Sequence, residues 1–97
     1  MNTYYVYILA SNKNGTLYIG VTSNLEERVW QHKEKVFLNS FTAKYEANKL
    51  VYYESCNDVF IAINREKRLK RYKRRWKIDL IQRTNPKWRD LYEDLAQ

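Results

Sequence analysis

Two β-rich runs separated by turn chemistry open the chain and constrain its fold more than any other feature. "TYYVYIL" is dense in aromatic and β-branched residues, "SNKNGT" is a turn, and "LYIGV" resumes the strand pattern. Such a pair is a β-hairpin, so the fold starts from an antiparallel sheet. A hairpin alone is marginal in water, and the rest of the chain must cover it. "SNLEERVWQHKEK" reads as a helix with Asn24 as N-cap and Glu27 three residues on, close to a capping box, and with Leu25 and Val29 on one stripe. "NSFTAKYEANK" reads as a loop and "LVYYES" as a third strand. "NDVFIAINREKRLKRY" is a second helix capped by Asn57 or Asp58, and "RWKIDLIQR" continues after a bend. Asn85-Pro86 then resembles a cap and first-turn proline before "KWRDLYEDL", where Trp88, Leu91, Tyr92 and Leu95 fall at i, i+3, i+4 and i+7. The order β-β-α-β-α-α-α predicts an α+β domain, a small three-stranded antiparallel sheet flanked by helices.

The 97 residues suffice for one domain with one modest core, spanning 1–97, as a monomer or weak homodimer. No apolar run is long enough for a membrane helix. The first residues carry no basic lead or cleavage site, and the lone Cys56 gives neither a disulfide nor a zinc spacing. The expectation is an intracellular, cytoplasmic protein without membrane association. Net charge is +7, and half of the 18 Lys and Arg residues lie between Arg65 and Lys77. Arg65, Lys67, Arg68, Lys70, Arg71, Lys73, Arg74 and Arg75 form a candidate nucleic-acid footprint, the alternatives being an anionic membrane surface or a solvated helix face. Lys44 and Tyr45, with Thr42, could add a phosphate and a stacking contact or merely cover the sheet.

One acid interrupts the basic run. Glu66 falls mid-stripe among Val59, Ala62, Ile63, Leu69 and Lys70, where a carboxylate needs a cation or a metal. An i, i+4 ion pair with Lys70 and a metal site both satisfy that need. Arg28 and His32 share a helix face near the core margin. Together they suit phosphate binding and proton movement, although a surface or hydrogen-bonded core histidine is the plainer reading. Tyr7 and Tyr18 flank the turn on one sheet face, opposite or diagonal. Core packing explains any one of nine tyrosines, and a phenol acting as base needs a nearby cation.

Taken in order, these residues resemble the GIY-YIG nuclease family, in particular its small stand-alone members. Tyr5-Val6-Tyr7 and Tyr18-Ile19-Gly20 match the two halves of the signature; Thr22, Asn24, Leu25, Arg28 and His32 follow it, and Glu66 matches the single later glutamate. The resemblance covers nearly the whole chain and implies a metal-dependent DNA endonuclease, structure-selective or nonspecific, acting in DNA repair or processing, with RNA left open. It implies that Glu66 ligates Mg²⁺, with Mn²⁺ as a substitute, and that Arg28 neutralises the scissile phosphate. Of Tyr7 and Tyr18, one would deprotonate the attacking water and the other position it, Tyr18 being favoured as the base. His32 would contact the phosphate or relay the proton, and Gly20 would let substrate approach the strand end. Asn85 would match a late asparagine of some members. Two departures stand out: Tyr5 replaces the first glycine, and Val21 stands where some repair relatives have lysine. A nucleic-acid-binding module without turnover is the rival; it explains the basic run but not the coexistence of Glu66, Arg28, His32 and two phenols.

Overall fold

The computed structural model describes residues 2–36 and 40–95. The hairpin forms as expected: β1 (Tyr4–Ala10) and β2 (Leu17–Thr22) pair antiparallel around a turn closed by Ser11 N–H donating to the Thr16 carbonyl. The third strand, β3 (Lys49–Cys56), pairs with the other edge of β1, giving the order β2-β1-β3. The central strand is therefore covered on both faces, which is why "VYILA" is an unbroken apolar run. Val6, Ile8 and Ala10 face one core, Tyr7 and Leu9 the other. A register shift opposite Ile8 and Leu9 puts an extra residue in β3, and Val51 and Tyr52 consequently join the same core.

Helix α1 (Leu25–Lys33) packs Leu25 and Val29 on the Tyr7 face. Asn24 caps it as anticipated, its side-chain oxygen accepting from Glu27 N–H at 3.2 Å. Helices α3 (Val59–Arg71) and α4 (Arg74–Thr84) cover the opposite face through Ala62, Leu69 and Ile81. Asp58 is the cap of α3, and the bend falls at Tyr72-Lys73, between the two helices.

Two segments differ from the sequence reading. The stretch read as a loop begins at Asn39, outside the described residues, and it contains a short helix, α2 (Phe41–Tyr45), capped by Ser40. The final helix is also shorter than its periodicity suggested. Only α5 (Tyr92–Leu95) is helical, and Trp88 packs into one core while Leu91, Tyr92 and Leu95 pack against the other. Residues 85–91 wrap the free edge of β3. Asn85 donates from its amide to the Val51 carbonyl, Leu91 N–H to the Leu50 carbonyl, and Leu50 N–H to Asp90. An exposed strand edge is a liability, and satisfying its polar groups outweighs continuing the helix. Asn85 is thus an edge clamp and the C-cap of α4, not the N-cap of a last helix.

Candidate active site

The register sets Tyr7 opposite Gly20 and Leu9 opposite Tyr18, so the two phenols are diagonal neighbours on one face, with ring centroids 6.4 Å apart. Tyr7 is fully buried and lies across Gly20. A Cβ at Gly20 would come within 2.5 Å of the Tyr7 hydroxyl. The space that the sequence reading gave to approaching substrate is therefore held by the phenol of Tyr7, which requires the bare glycine. Gly20→Ala should lower stability by about 1–3 kcal/mol, as overpacking does, and urea denaturation checks this.

His32 lies beneath the phenols. Its Nε2 is 3.3 Å from the Tyr7 hydroxyl and its Nδ1 is 2.8 Å from Thr42 Oγ1, which in turn meets Ser40 Oγ at 3.1 Å. Burial, assisted by the charge of Arg28, lowers the pKa of His32, so the ring is neutral at neutral pH, one nitrogen donating and the other accepting. It is a hydrogen-bonded core histidine and also part of the cluster around Tyr7. With both nitrogens engaged, direct contact with a phosphate would break one of these bonds. Thr42, which the sequence left between phosphate contact and cover, is the buried partner of His32. Nothing in a five-residue helix signals that role.

The charges of Arg28 and Glu66 act on the same phenol from different elements. Burial pushes the Tyr7 hydroxyl far above its usual pKa. The neighbouring Tyr18 phenol and the Glu66 carboxylate push the same way, while the positive charge of the Arg28 guanidinium opposes them. Groups on β2, α1 and α3 therefore act on the Tyr7 phenol of β1. Glu66 sits at the margin of the buried stripe of α3, its side chain 16% exposed, and its carboxylate lies 3.3 Å from Lys70. The ion-pair reading of this acid is thus met by Lys70, and its charge also acts on the Tyr7 phenol. Lys70 is 53% exposed, so releasing it to solvent costs little.

Among the described residues no three His, Cys, Asp or Glu side chains gather to hold a metal. The donor offered by Glu66 is one hard carboxylate. It suits a cation such as Mg²⁺ that keeps most of its waters and takes further oxygens from a phosphate; a zinc-type cage would need more nitrogen or sulfur ligands.

The basic run divides. Arg65 donates from Nε to Glu54 at 2.6 Å and lies against the Tyr72 ring, so it is held inside the fold. Arg74 donates to the carbonyl of Asn14 at 2.7 Å and braces the hairpin turn. Lys73 lies over Trp76, and Lys70 is paired with Glu66. Lys67, Arg68, Arg71 and Arg75 are exposed. By helical spacing Lys70 shares the face of Glu66, whereas Arg68 and Arg71 turn away from it. Part of the run is thus engaged within the fold. Tyr5, at the signature's first glycine position, meets Tyr53 edge to face at 6.3 Å, a packing role on the strand.

Comparisons with known proteins identify the family of the chain. The chain is 34% identical over 86 residues to a UPF0213 protein of Syntrophus aciditrophicus (strain SB), covering 89% of this chain and 97% of that protein. A UPF0213 protein of Desulfotalea psychrophila is 34% identical over 67 residues, 69% of this chain and 60% of that protein. The solution structure of the UPF0213 protein BH0048 from Bacillus halodurans superposes with a TM-score of 0.51 at 28% identity, over 82% of this chain and 83% of that one. The family model described as the GIY-YIG catalytic domain matches residues 3–79, and the chain belongs to the GIY-YIG family, a family of nucleases.

Proposed function

We propose that the protein is a divalent-metal-dependent endonuclease that hydrolyses phosphodiester bonds in DNA, with structure-selective or nonspecific cutting. The observation that carries this reading is the packing of Tyr18 and His32 against the buried phenol of Tyr7, on which the charges of Arg28 and Glu66 also act. Arg28 lies on the margin of α1 beside Tyr7, where its guanidinium can neutralise the charge that builds on the phosphate in the transition state. Mg²⁺ held by Glu66 would supply Lewis-acid charge at the phosphate and make a nearby water more acidic.

Tyr18 and Tyr7 divide the remaining work. Tyr7 is fully buried, hydrogen-bonded to His32 and pushed toward its neutral form, which suits a positioning donor. Tyr18 is partly exposed and bounds the same cluster, so it is the phenol that can take a proton from a water arriving from solvent. His32 and Thr42 hold Tyr7 in place. Tyr18→Phe should accordingly lower turnover by about 10²-fold. Tyr7→Phe should lower it less, and single-turnover rates separate the two. Equal losses would remove the distinction.

The test of the reading as a whole is incubation of the pure protein with supercoiled plasmid and with branched or nicked DNA, in Mg²⁺ and in EDTA. Cutting in Mg²⁺ alone is expected. Binding without cutting on every substrate would favour a module without turnover. The pairing of Glu66 with Lys70 favours that second reading, because the lysine must move before a metal can enter.

A further inference from the structure

Helix α2 presents an unusual outer face. Thr42 points inward to His32, whereas Phe41 and Tyr45, one turn apart, remain 46% and 45% exposed. Their rings lie 4.7 Å apart, and Phe41 continues to Tyr18 at 6.2 Å with the planes only 30° from parallel. Lys44 Nζ lies 5.4 Å from the centre of the Tyr45 ring. An aromatic shelf with a cation at its outer end thus runs directly off a wall of the candidate active site.

Covering the core does not account for this shelf, since Thr42 and Ala47 do so from the same segment and both rings stay half in water. We propose that Phe41 and Tyr45 form a stacking platform for an unpaired nucleobase beside the scissile phosphate, with Lys44 on the adjoining phosphate, so that the preferred substrate is single-stranded DNA or a flap or gap. The proposal rests on the nuclease reading of the adjoining site and names its substrate class. The physical reason is that a base inside a duplex has both faces covered by its neighbours. Only a base already out of the stack offers a free face, and extruding a paired one costs a few kcal/mol. Base–aromatic stacking tolerates every base, in keeping with a site that has no base-reading motif.

The test uses a single-stranded oligonucleotide of about 12 nucleotides carrying 2-aminopurine, titrated with the full chain in EDTA so that nothing is cut. Quenching of the probe on binding is expected. Tyr45→Ala should weaken single-strand binding about tenfold and Tyr45→Phe should restore it, while affinity for a blunt duplex shifts less than about twofold. Phe41→Leu, which keeps an apolar contact with Tyr18 but loses the flat face, should behave like Tyr45→Ala. Unchanged single-strand affinity in both variants would overturn the proposal, as would equal losses on single strand and duplex. Because the readout needs no catalysis, quenching without any nicking in Mg²⁺ would sink the nuclease reading alone. Nicking without quenching would sink the platform alone.

Discussion

Replacing Arg28 with alanine is expected to lower DNA-cutting turnover by about 10²-fold or more while DNA affinity changes by less than about threefold. The asymmetry follows from where its charge sits. The charge of Arg28 acts on the buried hydroxyl of Tyr7, as does that of Glu66. The exposed cations Lys67, Arg68, Arg71 and Arg75 lie on α3 and α4 and are left untouched. A preorganised guanidinium acts most strongly when negative charge builds on the phosphate, so its loss falls on the chemical step. One phosphate contact among several contributes little to ground-state binding. Quench-flow turnover and a binding titration in EDTA measure the two separately. Parallel collapse of both would make Arg28 a docking residue. Lysine in its place should recover only part of the rate, because a point charge lacks the planar, bidentate fork.

The elements legible in the sequence are those whose signals are local. Asn24 with Glu27, the turn at Ser11–Thr16 and the cap at Asp58 each involve residues within a few positions of one another, and all three stand where the sequence put them. Helix α2 escaped because five residues are too few to show a period, and its stability comes from the Ser40 cap and from Thr42 reaching a histidine ten positions earlier. The tail misled for the opposite reason. A helical period is present from Trp88 to Leu95, but Asn85, Asp90 and Leu91 are drawn to the open edge of β3, and this tertiary demand overrides local periodicity.

The site divides along the same line. Diagonal tyrosines, the Arg28–His32 face and an acid within the basic run were readable because strand and helix periods fix them. The partners of Arg65 and Arg74 were not, since Glu54 and the Asn14 carbonyl are brought close only by the fold. A run of bases in a sequence therefore overstates the charge available to a polyanion. The tertiary structure has already used part of it.

Glu66→Gln keeps the size of the side chain and removes its charge, freeing an already exposed Lys70 at little cost to the fold. On the proposed mechanism a hard divalent cation would lose its one charged protein ligand without the carboxylate, and turnover should fall by about 10³-fold or more, the scale of losing a preorganised electrostatic stabiliser. Nicking of supercoiled plasmid in Mg²⁺, by wild-type and Glu66→Gln protein purified side by side, measures this directly. The account predicts that the wild type relaxes the plasmid and that the variant matches wild type in EDTA. Equal nicking by the two proteins in Mg²⁺ would contradict it.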